Sequence, residues 1–276
     1  MLINPFPKMT VSIKALLFFL YFLLNVVTLS AQAGITVSPS RLYFQPGAKS
    51  EQKLILTNPN TEKALEVGVS LNDWAYDSLG NNVTYDAGTL ATSCAKNVQI
   101  LPGSYFTLPA GESKEISVII TPDANLDSKI PVRTAMLYIT QLNPGDAKAE
   151  NGAAIKVTVR MGIKIYHTNN TNTVKDIEIT DFAALKNDNR ISALRLNLEN
   201  TGSIWLEGKI NYELLNKQTG KKIKLDTEDF YSLPGDKRIF SVKVPSSVEK
   251  GEYTATAIVN YGKDDGLKLA ELDLTF

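Results

Sequence analysis

The chain has 276 residues, 43% of them hydrophobic, with basic and acidic residues equal at 29 each. That is enough for two domains of ordinary size, each with its own core. The single cysteine (Cys94) and single histidine (His167) exclude an intrachain disulfide and the usual His or Cys zinc clusters, and leave little for a catalytic triad. A charge balance near zero argues against a nucleic-acid partner, which needs a basic face.

Lys8 and Lys14 precede the apolar run ALLFFLYFLL at residues 15–24, and Ala31-Gln32-Ala33 gives a small-x-small cleavage pattern. This reads as a secretory signal peptide over residues 1–33, with a mature chain from Gly34. The run is short against the ~20 residues that span a bilayer, so no stable membrane insertion is expected after cleavage. No acidic residue precedes Glu51, so the mature chain carries 27 basic and 29 acidic residues, a net charge of −2.

From Gly34 onward the pattern is strands. Residues 35–44 read as one strand through Pro39 to Phe44. Further strands are expected at residues 53–57, 65–74, 98–101, 105–108, 116–120 and 135–139, with a weaker one at 83–85. Pro46-Gly47, Asn58-Pro59-Asn60, Pro109-Ala110-Gly111 and Asn143-Pro144-Gly145 supply turns. Residues 146–152 read as a polar loop. Residues 153–167, AAIKVTVRMGIKIYH, then alternate cleanly. Ile155, Val157, Val159, Met161, Ile163 and Ile165 take one face; Lys156, Thr158, Arg160, Gly162 and Lys164 take the other. One strand of that length is about twice the usual ~5–6 residues. The pattern alone serves equally for a long half-buried strand of an ordinary sandwich. About seven strands in roughly 130 residues, with no amphipathic helix between them, suit an immunoglobulin-like sandwich.

Residues 168–174 are polar and read as a linker. The second half repeats the style, with apolar alternation at residues 194–198, 204–214, 240–244, 253–261 and 272–276. The fold class is therefore all-β: two immunoglobulin-like β-sandwiches in tandem, residues 34–167 and 175–276.

No phosphate loop, GxGxxG, HExxH or GxSxG motif is present. Neither enzyme, cofactor nor metal site is expected. Asp264 and Asp265 sit in a turn-like segment and read as solvated. His167 ends a strand and has no inferable partner. Trp74 is most simply a core aromatic, although Trp74 and Tyr76 could form a sugar platform. The pair that stands out is Arg41 and Lys164. Each lies between apolar positions, and neither has an acidic neighbour in sequence. If the first strand lies beside the last, the two cations repel unless an anion sits between them; otherwise they are two surface cations with stems over apolar area.

These residues resemble the periplasmic pilus-assembly chaperones of the PapD-like, chaperone–usher type. The resemblance is carried by the exported two-sandwich layout, SPSRLYF in the first strand, the turn and strand TLPAGESKEISVIIT, and IPVRTAMLYITQLNP followed by a polar loop and AAIKVTVRMGIKIYH. It covers residues 34–167 well and the second sandwich only as architecture. It implies a periplasmic binding protein that caps incomplete pilus or fimbria-like subunits by lending a strand, a mode known as donor-strand complementation. Ile155, Val157 and Val159 match the donor face, and Arg41 and Lys164 match the pair that holds a subunit's C-terminal carboxylate. The implied partners are pilin-like subunits and an outer-membrane usher. Two departures stand out: Arg133 is followed by Thr134 instead of an acid, and Thr107 stands where the family has an arginine. Those positions belong to an ionic link between the family's domains, so the interdomain angle is left open. The other reading of the chain is a secreted structural or adhesive protein of two Ig-like domains.

Overall fold

The computed structural model describes residues 34–47, 49–121, 127, 129–148, 152–188, 190–263 and 266–276. The expected signal peptide therefore lies outside the described residues, as does the Asp264–Asp265 pair. Among the described residues the only helical element is a single 3₁₀ turn, Ala95–Asn97, and no helix is long and apolar enough to cross a membrane.

The first half runs β1 (Thr36–Ser38), β2 (Arg41–Phe44), β3 (Ser50–Thr57), β4 (Leu65–Tyr76), β5 (Asn82–Asp86), β6 (Val98–Leu101), β7 (Tyr105–Leu108), β8 (Ser113–Ile120), β9 (Val132–Gln141), β10 (Gly145–Lys148), β11 (Ala154–Val157) and β12 (Arg160–Thr168). One sheet has the order β1-β3-β8-β6; the facing sheet has the order β2-β12-β9-β4-β5, with β7 also on β4. Inward residues of both sheets, among them Leu42, Phe44, Leu54, Leu56, Ile116, Leu137, Ile139, Ile163 and Ile165, form one buried core. Alternation sets which residues these are, because successive side chains of a strand point to opposite faces.

The second half runs β13 (Glu178–Asn187), β14 (Arg190–Glu199), β15 (Leu206–Asn216), β16 (Lys222–Lys224), β17 (Glu228–Ser232), β18 (Lys237–Lys243), β19 (Glu252–Tyr261) and β20 (Gly266–Thr275). Its sheets are β13-β14-β18 and β16-β15-β19-β20, with β17 on β15. Leu194, Leu196, Ile210, Leu214, Phe240, Ala255 and Val259 anchor a separate core. The chain is thus all-β, with two sandwich cores.

Three expectations are corrected. Residues 35–44 form two strands in different sheets, β1 on β3 and β2 on β12. The change of sheet falls at Pro39, which has no N–H to give a ladder. Residues 153–167 are not one strand. β12 follows β9 from Thr168 opposite Val132 down to Arg160 opposite Thr140, and the Val159 carbonyl still accepts the Gln141 N–H at 2.9 Å. Beyond Gln141 the β9 chain turns away at Asn143-Pro144, so the main sheet offers no further partner. The residues before the break form β11, which pairs instead with β10 in a two-stranded ribbon. The segment read as a polar loop therefore contributes a strand. β17 was not foreseen at all.

β9 is buried on both faces. Ala135, Leu137 and Ile139 face the first core; Met136 joins Trp74 and Tyr166 in a third apolar cluster on the outer face of that sheet. Tyr43, Tyr76 and Tyr138 of the first sandwich pack on it, and so do Trp205 and Leu233 of the second. This aromatic layer is where the two sandwiches meet.

Candidate functional site: a cation cleft beside an open strand edge

The outer face of the sheet β2-β12-β9-β4 carries the residues whose parity is opposite to the core. On β2 these are Arg41 and Tyr43; on β12, Lys164 and Tyr166; on β4, Trp74 and Tyr76. β2 runs parallel to β12 with Lys164 opposite Arg41, and the Lys164 N–H donates to the Ser40 carbonyl at 3.2 Å. Two cations far apart in sequence are thereby register partners on adjacent strands.

Lys164 is held by aromatics. Its Nζ donates to the Tyr76 hydroxyl at 2.8 Å and stands 4.4 Å from the Trp74 ring centroid and 4.3 Å from that of Tyr76. Ring faces attract a cation, by ~0.5–2 kcal/mol according to its solvation. Burial, with the charges of Arg41 and Arg238 nearby, lowers the Lys164 pKa to about 8. The Arg41 guanidinium lies 4.3 Å over the Tyr231 ring, which belongs to the second sandwich. Among the described residues no ion pair joins Arg41 or Lys164 to a carboxylate. By contrast, the buried Asp73 is matched inside the first sandwich: its carboxylate accepts the Thr89 and Leu90 N–H groups and the Ser93 hydroxyl.

Among the described residues the sandwiches are joined above this cleft without the ionic link that the resemblance implies. Tyr43 stacks on Tyr166 at 5.1 Å and on Trp205 at 5.0 Å. The turn between β4 and β5 reaches β18, where the Ile239 N–H donates to the Ser78 carbonyl at 2.8 Å. Arg133 is buried in the first sandwich and spends its guanidinium on the Ala91 and Asp127 carbonyls, while Thr107 is exposed on β7.

Below Lys164 the strand has an open side. β2 covers β12 only from Lys164 to His167; β9 holds the opposite edge along the whole strand. Among the described residues nothing pairs with the second edge of Arg160–Ile163. The expected donor face lies further down this line. Ile155 and Val157 on β11 are 42% and 41% exposed. Val159 is half-buried, and a Cβ on Gly34 would stand 3.4 Å from it. The structure thus brings Arg41 and Lys164 together and leaves Ile155 and Val157 uncovered, whereas Val159 is partly covered by the chain's own Gly34.

The sugar platform does not form. Trp74 is fully buried and its indole N–H donates to the Ala135 carbonyl at 3.0 Å, which leaves no ring face for a sugar. His167 is buried; desolvation, then Arg133, lowers its pKa. Cys94 is buried as a free thiol, and burial pushes its pKa up to about 12, so it is not a nucleophile. Among the described residues no group of three His, Cys, Asp or Glu could hold a metal ion.

Arg238 is the residue that sequence reasoning missed. In β18, burial alternates so that Arg238 falls on the buried parity with Phe240 and Val242. A cation on the apolar parity of a strand was the available signal; Arg41 and Lys164 were marked instead by standing between apolar positions, on the opposite parity.

Solved structures similar to this chain include chaperones. One is the Salmonella enterica SafA pilin in complex with the SafB chaperone (14% identity over 89% of this chain and 97% of the matched one, TM-score 0.45). Others are the E. coli chaperone DraB (15%, 88% and 98%, TM-score 0.43) and the Pseudomonas aeruginosa CupB2 chaperone (9%, 87% and 100%, TM-score 0.42). No family model and no curated protein matches the sequence.

Proposed function

We propose that this protein is a chaperone for fibre-forming surface subunits, acting in the periplasm: it caps a subunit's incomplete sheet along β11 and β12 and holds the subunit's C-terminal carboxylate at Arg41 and Lys164. The observation that carries this reading is the register of Lys164 opposite Arg41, two cations without a carboxylate, at the point where the second edge of β12 becomes open. A strand whose terminal carboxylate sits there and which pairs along Arg160–Ile163 has one possible course. It lies end to end with β2 and, like β2, runs parallel to β12.

The energetics favour such a complex over either bare edge. An unpaired sheet edge is a template for aggregation, and pairing satisfies its backbone groups. Burying Ile155 and Val157 contributes up to ~1.5–3 kcal/mol for each side chain, less the part already covered. Charge-assisted hydrogen bonds to the carboxylate add ~1.5–3 kcal/mol each. They also fix register, since a slip by one residue would turn the apolar side chains away from the client. Delivery to an outer-membrane usher belongs to the same reading.

The test is co-expression with pilin-like subunits encoded nearby, followed by pull-down. Wild-type protein captures a subunit; Arg41→Ala and Lys164→Ala remain folded and lose capture. Normal capture by both variants would overturn the anchor.

A further inference from the structure

The cleft holds a third cation, supplied by the second sandwich. Arg238 is only 5% exposed. Its guanidinium lies 5.2 Å from the Tyr76 ring centroid and 5.4 Å from that of Phe240, donates through Nη1 to the Tyr231 carbonyl, and passes against Gly80, where any Cβ would collide with it. Gly80 has a φ of 91°, so both its conformation and this close approach require glycine. Two aromatic residues each touch two of the three cations. Tyr76 contacts Lys164 and Arg238; Tyr231 contacts Arg41 with its ring and Arg238 with its carbonyl.

The charges of this group are not balanced from within. The Nε atoms of Arg41 and Arg238 are buried without a hydrogen-bond partner, and such orphans in a folded protein call for an explanation. Three carboxylates lie in the neighbourhood. Glu207, the register partner of Tyr231 whose charge also acts on Tyr43, forms no ion pair with the three cations among the described residues. Asp77 is occupied by its own turn, accepting the Leu79 and Asn81 N–H groups at 2.9 and 2.8 Å. Asp236 accepts the Leu233 N–H at 2.7 Å, and burial raises its pKa to about 6. Among the described residues neither forms an ion pair with Arg238. The Tyr76 hydroxyl that accepts from Lys164, and the Tyr166 hydroxyl beside it, are both neutral at physiological pH because burial raises their pKa.

We infer that Arg238 is part of the anion site: a bound chain-terminal carboxylate is neutralised by Arg41, Lys164 and Arg238 together, so that client binding engages both sandwiches at their observed angle. This rests on the proposed chaperone reading. Two consequences follow. Client affinity depends on a residue of the second sandwich that lies off the paired strands. Binding also takes up a proton, because an anion beside Lys164 raises a pKa that burial and the two arginines hold near 8.

The probe is a short synthetic strand peptide of alternating valine and threonine, made with a free α-carboxylate and, separately, as the carboxamide. Binding to the full chain is measured by calorimetry at pH 8 in buffers of different ionisation enthalpy. Wild-type protein is expected to bind the acid about tenfold or more tighter than the amide and to take up about half a proton with the acid only, given a free Lys164 pKa near 8. Arg238→Gln should lose about tenfold for the acid and little for the amide. It should also reduce proton uptake, since Lys164 without Arg238 is already more protonated. Arg238→Lys should restore part of both, which a loosened interface alone would not do. Unchanged discrimination and uptake in Arg238→Gln, with both lost in Arg41→Ala, would overturn the inference and leave the two-cation anchor standing. Failure of wild-type protein to prefer the acid would overturn both.

Discussion

The two halves of residues 154–168 alternate in the same way in sequence and meet opposite fates. In the upper half, Ile163 and Ile165 are buried, and from Lys164 to His167 the strand is paired on both edges, by β9 and β2. In the lower half, Ile155 and Val157 are exposed, and among the described residues β11 pairs only with its ribbon partner β10. Alternation therefore establishes that a face is apolar but not what covers it. The cover comes from the length of the neighbouring strands: β2 stops opposite Lys164 and β9 opposite Arg160. What the chain leaves open begins where the cations sit.

Substitution should separate the halves most sharply through stability. Ile163→Ala removes a fully buried side chain and should cost ~2–5 kcal/mol in urea unfolding. Val157→Ala should stay within ~0.5 kcal/mol. Similar losses at both positions would mean that the lower half is part of the core. The polar counterpart, Val157→Asp, should leave the unfolding transition in place and markedly weaken subunit capture in pull-down; a variant that unfolds instead would make this a plain structural strand.

A second contrast lies between the cores and the aromatic layer joining them. Trp205→Ala breaks the stack on Tyr43 and the tilted ring contact with Tyr166. Such pairs are worth ~0.5–1.5 kcal/mol beyond the area they bury. The expected outcome is a single thermal transition that broadens or splits into two, one per sandwich, in calorimetry. A sharp, unshifted transition would show that the layer does not couple them.

The smallest expected effect is on pH dependence. The Lys164 pKa is lowered in the fold, to about 8, by burial and then by Arg41 and Arg238. Between that value and the ordinary lysine value the unfolded chain binds more protons, so this group makes stability rise with pH across that window. The penalty for holding the charge is fully present below pH 8 and is relieved above it. The stability difference between wild type and Lys164→Met should therefore change across pH 8–10 in chemical unfolding and be flat from pH 6 to 7. A difference that is flat throughout would mean that the lysine is not strained in its charged form.

Much of this was legible before any coordinates. Alternation at Leu42, Phe44, Ile163 and Ile165 identified core faces correctly, and isolated cations between apolar neighbours picked out Arg41 and Lys164. Three things were not legible, each because it depends on residues distant in sequence. The break at Thr158-Val159 reflects where β9 turns away, which nothing in residues 153–167 encodes. β1 and β2 read as one strand because both alternate, while the sheets they join are set by β3 and β12. The role of Arg238 was not legible, for although its place on the parity of Phe240 and Val242 was visible, its neighbours in the cleft, Tyr76 and Gly80, come from the other sandwich.

The most direct measurement of the central claim is amide hydrogen exchange of the protein alone and in complex with a co-purified subunit. Slowed exchange is expected across residues 154–163, where an edge gains a partner, and little change at residues 165–167, already paired on both sides. A stable complex in which residues 154–163 exchange as fast as in the free protein would contradict that claim.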